Sequence, residues 1–122
     1  MSIQPIRLPT LGYFKNGNGY LGSAGPLRFQ LENHTPQRES ERVEGQVYDL
    51  TAVLWQGPFS RPYAQEIGQE TFAIDEPGLA ALVDFLTQRA RELDQRPVFT
   101  PEELNAYYLS KKQEEQAPKD QA

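Results

Sequence analysis

Residues 72–94 read FAIDEPGLAALVDFLTQRARELD, and the placing of the apolar residues in this stretch decides the fold class. Leu79, Leu82, Val83, Leu86, Ala90 and Leu93 recur at helical spacing and share one face. Asp84, Gln88, Arg91 and Glu92 occupy the opposite face, with Phe85 flanking the apolar stripe. Asp75 is placed to cap the first turn, and Glu76 to meet the positive end of the helix dipole. Pro77 forfeits no hydrogen bond so early in a helix. A helix with one apolar face needs a layer to lie on, and the residues before it alternate as strands do.

Leu27, Phe29 and Leu31 alternate with Arg28, Gln30 and Glu32, the pattern of a half-buried strand. Residues 46–56 form the longest strand candidate, with Tyr48, Leu50, Ala52 and Leu54 on the better core face. Val47, Asp49, Thr51, Val53 and Trp55 share the other face, and Val53 with Trp55 predicts that the far end is covered on both sides. Residues 69–74 are a short strand that feeds the helix. Near the N-terminus, Ile3, Ile6 and Leu8 interspersed with Pro5 and Pro9 predict an extended arm or edge strand. Asn16-Gly17-Asn18-Gly19 predicts a hairpin tip, since Asn-Gly accepts positive φ at both central positions, and Gly22 to Pro26 is a second break. Residues 33–45 lack periodicity and read as a mobile loop. Gly57-Pro58 ends the longest strand, and an irregular connection runs on to Tyr63. Thr100-Pro101-Glu102-Glu103 is a capping box that opens a second helix, running to about Lys112 and presenting Leu104, Tyr107 and Tyr108. The expected architecture is α+β: an antiparallel sheet of about four strands, one long amphipathic helix packed on it, and a short C-terminal helix. Residues 1–112 are read as a single domain and 113–122 as a disordered polar tail.

The chain of 122 residues carries a net charge of −5, but the charge is split. Arg7, Lys15 and Arg28 are the only charged residues before Glu32, and all 17 acidic residues lie from Glu32 onward. An acidic total argues against a general polyanion binder and leaves room for a locally positive sheet surface. There is no cysteine, so neither disulfides nor thiolate metal sites arise. No stretch is apolar enough to span a membrane, and the first residues lack the pattern of a signal peptide, which together suggest a cytoplasmic protein. Asn33-His34-Thr35 matches a glycosylation acceptor by chance pattern alone.

The catalytic inventory is poor, and the chain reads as a non-catalytic protein with no metal and no cofactor. His34 is the single histidine, so no histidine triad or multi-histidine metal site can be built. No serine sits in a nucleophile elbow, and the glycine pairs at 17–19 and 22–25 lack the lysine and helix of a phosphate loop. Asp49 stands out inside a strand; pairing with Arg28 or a place at the wet end of the sheet accounts for it without chemistry. Glu39, Glu41 and Glu44 among Arg38 and Arg42 read as a solvated charge run. The remaining constellation is aromatic and basic: Tyr13, Lys15, Tyr20 and Arg28, then Trp55 and Arg61. Aromatic faces stack on bases while lysine and arginine track phosphates, which is how sheets hold single strands. The competing reading places Trp55 and its neighbours in the core.

Tyr48-Asp-Leu-Thr followed by Trp55, and Gly68-Gln-Glu-Thr-Phe-Ala-Ile-Asp-Glu-Pro-Gly-Leu79, resemble the transcriptional coactivator (positive cofactor four) family that binds single-stranded DNA. The resemblance covers residues 27–94. It implies a curved four-stranded sheet, a homodimer formed through the helix, and nucleic acid on the concave face. Its basic and aromatic contacts map to Arg28 and Trp55, and less closely to Lys15 and Arg61. That family's surface is basic, whereas this chain is acidic after residue 31. Two binding functions are therefore open. One is single-stranded nucleic acid on a sheet face, with Lys15, Arg28 and Arg61 at phosphates and Tyr13, Tyr20 or Trp55 stacking. The other is a protein-interaction adaptor that uses its acidic surface and Tyr107/Tyr108 on the C-terminal helix.

Overall fold

A computed structural model describes residues 5–116. Ile3 of the N-terminal arm and residues 117–122 of the tail lie outside the described residues. The architecture is α+β, built on a four-stranded antiparallel sheet in the order β1-β2-β3-β4. The strands are β1 (Tyr20–Ala24), β2 (Leu27–Asn33), β3 (Asp49–Gln56) and β4 (Glu66–Ala73). Three helices accompany them: α1 (Leu11–Lys15), α2 (Glu76–Gln95) and α3 (Pro101–Gln116).

One face of the sheet carries Leu27, Phe29 and Leu31 of β2 with Leu50, Ala52 and Leu54 of β3, all buried. Leu82, Leu86, Ala90 and Leu93 of α2 join them in one core with Phe14 of α1. Asp75 caps α2 as its position predicts, its Oδ1 accepting from the Gly78 N–H at 2.7 Å. A side chain at Gly78 would sit 2.0 Å from the Ala73 carbonyl oxygen, so β4 turns into α2 only over a glycine.

The hairpin predicted at residues 16–19 is not there. Leu11 and Phe14 stand three apart, a helical spacing, and Phe14 is fully buried in the α1 turn. Thr10 Oγ1 caps that turn by accepting from the Tyr13 N–H. Asn33 then fixes it to the end of β2, its Nδ2 donating to the Phe14 and Asn18 carbonyls while its Oδ1 accepts from the Thr35 N–H. The true hairpin joins β1 to β2 through Gly25-Pro26, with Gly25 at φ 57° in the first central position, where a tight antiparallel turn favours glycine. Residues 5–10 form no strand; Ile6 and Leu8 pack against the core instead. The connection at 33–45 is also less loose than its composition suggests. It holds a 3-10 turn at Glu39–Glu41, and Arg42 brackets it by donating to the carbonyls of Pro36, Gln37 and Asn16.

β3 is buried on both faces: Val53 and Trp55 point away from α2 and are 1% and 2% exposed. Their cover begins where β3 leaves the sheet through a cis Gly57–Pro58 bond. The Trp55 indole N–H donates to the Phe59 carbonyl at 2.9 Å, and a 3-10 turn at Arg61–Tyr63 follows. α3 packs on this strap. Tyr108 stacks on Phe59 with centroids 4.4 Å apart and meets Tyr63 edge-on at 5.4 Å. The chain crosses from the α2 side of the sheet to the α3 side around Gln56. This buried carboxamide accepts from the Val98 and Phe99 N–H groups and donates to the Phe99 carbonyl. The capping box forms as a reciprocal pair between Thr100 and Glu103. α3 runs past Lys112 to Gln116, so residues 113–116 are helix rather than tail.

Leu86→Asp places an unpaired charge in the α2 core and is expected to abolish the cooperative thermal melt, whereas Arg91→Ala on the outer face shifts stability by less than about 0.5 kcal/mol. Gln56→Leu removes the partners of two half-buried N–H donors at the crossing and is expected to cost about 1 kcal/mol or more in chemical denaturation. A parent-like midpoint for Gln56→Leu would show that the crossing is not pinned there.

Candidate functional site

The face of the sheet opposite α2 offers one built depression, of about 380 Å³. β1 contributes Leu21, β2 contributes Arg28 and Gln30, and the strap contributes Pro58, Phe59, Arg61 and Pro62, with Trp55 below. Strand alternation explains the set: Tyr20, Gly22 and Ala24 pair across from Leu31, Phe29 and Leu27 on the core face, which sends Leu21 outward. Leu21 is 65% exposed at the rim, a large apolar side chain that no neighbouring layer covers.

The two arginines of this depression differ electrostatically. Arg61 Nη1 donates to Gln30 Oε1 at 2.9 Å and to Glu32 Oε2 at 2.8 Å, while Nη2 reaches Glu66 Oε1 at 3.1 Å. Its pKa is raised chiefly by the hydrogen bond to Glu32; burial opposes that rise and Glu66 adds to it. Two carboxylates against one guanidinium leave this corner negative. Arg28 instead donates Nη1 to the carbonyls of Gly25, at 2.8 Å, and Leu27, at 3.3 Å, and its guanidinium lies over Gly57, where a Cβ would come within 2.7 Å of Cζ. Among the described residues no carboxylate lies within ion-pair distance of Arg28, so its charge faces the depression uncompensated.

Of the six residues singled out in the sequence, Arg28, Trp55 and Arg61 meet here. Trp55 meets them as floor, too buried to offer a stacking face. The other three stand elsewhere. Tyr13 and Lys15 belong to α1, with the Tyr13 hydroxyl donating to the Gly19 carbonyl, and Tyr20 packs on Phe29 on the core side. Tyr13 and Arg28 therefore do not share a continuous face. Tyr108 is spent holding α3 between Phe59 and Tyr63, and Lys111 lies over the Tyr107 ring. The outer face of α2, where a homodimer would be sought, shows Asp84, Gln88 and Arg91, polar throughout.

Asp49 does not pair with Arg28. Asp49 lies opposite Ala73 at one end of β3 and Arg28 opposite Trp55 at the other, roughly 20 Å along the strand. His34 is exposed, and its Nε2 shares a hydrogen bond of 2.8 Å with Thr51 Oγ1, which in turn meets Thr71 Oγ1 at 3.0 Å. Among the described residues no group of three or more His, Cys, Asp or Glu side chains is spaced to hold a metal ion. Among the described residues no helix is long and apolar enough to cross a membrane. No family model, curated protein or solved structure matches this chain.

α3 is also tied down through the Tyr63 hydroxyl, which donates to Glu115. That bond is the main cause of a raised Tyr63 pKa, with desolvation adding and Lys112 opposing. A tyrosine whose folded pKa is raised contributes fully below its unfolded value near 10, and the contribution is lost as pH rises through the folded value. The Tyr63 ionisation, read as the difference between the tyrosinate absorbance titrations of the parent and of Tyr63→Phe, should therefore centre above the unfolded value. A difference centred at or below that value would refute the Tyr63–Glu115 tie.

Proposed function

We propose that this chain is a non-catalytic binding module that takes a segment of a protein partner into the depression between β1, β2 and the strap. The observation that carries this reading is the pairing of an uncompensated Arg28 guanidinium with exposed Leu21 around a mostly apolar hollow. An exposed leucine beside buried aromatic floor suits an apolar side chain, which gains by leaving water. A lone guanidinium at the edge suits a carboxylate on the same segment, held by charge-assisted hydrogen bonds. The partner segment thus carries one Asp or Glu beside a large apolar residue. The surrounding carboxylates Glu32 and Glu66 limit the phosphates that the hollow would tolerate, and the Trp55 ring below Arg28 is too buried to stack on a base.

Peptide-display selection against the parent protein, with a Leu21→Glu variant as counter-target, tests this reading. Enriched peptides should carry a large apolar residue beside Asp or Glu. Arg28→Ala and Leu21→Glu should each weaken them at least about tenfold by calorimetry, without loss of the cooperative melt. An oligothymidine titration runs in parallel. Tight salt-dependent binding of oligothymidine, lost with Arg28→Ala and accompanied by no peptide enrichment, would replace the protein partner with a single strand.

A further inference from the structure

A second cavity lies at the other end of the molecule, and nothing in the binding reading above uses it. It encloses about 340 Å³ between α1, the connection from β2 to β3, and the entry to α2. That volume is within the range of sites for small organic molecules. We infer that this cavity is a binding site for a small aliphatic carboxylate, with its head between Lys15 and Arg42 and its tail against Val43, Val47 and Ile74.

Three independent features converge on that ligand. Arg42 is held rigid by neutral acceptors only: Nε donates to the Pro36 carbonyl at 2.7 Å and Nη2 to those of Asn16 and Gln37 at 3.3 Å. Its Nη1 makes no hydrogen bond, and neither Arg42 nor Lys15 has a carboxylate within ion-pair distance among the described residues. The Tyr48 hydroxyl accepts from the Val43 N–H at 2.9 Å, which leaves its own hydrogen to be donated. Val43 and Val47 are 59% and 56% exposed, apolar surface that the protein does not itself cover.

The charge balance selects a monoanion. Asp75 is the one acidic side chain lining the cavity, and its Oδ1 is committed to the Gly78 N–H at the start of α2. Two cations against one carboxylate leave a single positive charge, which a carboxylate neutralises and a dianionic phosphate overfills. The apolar wall then favours an aliphatic tail of a few carbons over a bare anion.

The test is an amide-resonance titration of the full chain with 4-methylpentanoate, 4-methylpentanamide and inorganic phosphate. The acid should give saturable shifts at Thr35, Val47 and Ile74, with the neutral amide at least about fivefold weaker for want of the charge contact. Lys15→Gln should weaken the acid by about fivefold. Any of four results overturns the inference: no saturable shift in a folded spectrum, equal affinity for acid and amide, phosphate binding as tightly as the acid at the same amides, or indifference to Lys15→Gln.

Discussion

A strand buried on both faces is the constraint from which the rest of this molecule follows. β3 gives Leu50, Ala52 and Leu54 to α2 on one side, which any sheet with a single helix would do. It also gives Val53 and Trp55 to the other side, where a four-stranded sheet with one helix has nothing to offer. Large apolar groups at that position force a second layer, and the chain supplies it from the Gly57–Tyr63 strap and from α3. The second layer is thin, with its cohesion concentrated in Phe59, Tyr63 and Tyr108 rather than in a deep core. Gln56 makes the arrangement reachable by holding the chain where it rounds the end of the sheet.

The same layer creates the hollow for which binding is proposed. The strap covers only part of the second face, so the uncovered part beside β1 becomes a hollow with an aromatic floor and Leu21 at its lip. Hydrogen bonding then sorts the two arginines by role. Arg61 is an internal strut that ties the strap to β2 through Gln30 and Glu32, and its charge is spent. Arg28 meets only carbonyl oxygens, which satisfy its geometry without cancelling its charge. A neutralised structural cation and an uncompensated one thus sit side by side, told apart by the acceptors that each one meets. The proposed partner segment, an acidic residue beside a large apolar one, follows from Arg28 and Leu21 together rather than from the overall charge.

Periodicity carried the elements whose neighbours are near in sequence. The apolar stripe of α2, the alternation in β2 and β3, the cap at Asp75 and the box at Thr100–Glu103 were all legible, because each depends on residues a few positions apart. The double burial of β3 was legible too, since Val53 and Trp55 occupy the face that should be wet. α1 was misread because Asn16-Gly17 is a strong hairpin signal; the competing evidence was the three-residue spacing of Leu11 and Phe14 and the reach of Asn33 from nineteen residues away. Tertiary hydrogen bonds of this kind leave no local pattern. Neither do the backbone partners of Gln56, more than forty residues distant, or the carboxylate partners that neutralise Arg61. Chemical type finds Arg28, Trp55 and Arg61, but type alone cannot distinguish an exposed stacking ring from a floor. Leu21 had a signal that was available: an apolar residue at the outward position of a glycine-rich edge strand.

Trp55 is the only tryptophan in the chain, so its fluorescence reports on the second layer without ambiguity. The account requires an indole sealed beneath the strap and bonded to the Phe59 carbonyl. Native emission should be blue-shifted relative to the unfolded chain and resist quenching by acrylamide, with both properties lost together on denaturation. Native emission at the wavelength of the unfolded chain, quenched as readily as free tryptophan, would mean an open ring on the sheet surface and would contradict the second layer and the binding hollow built on it.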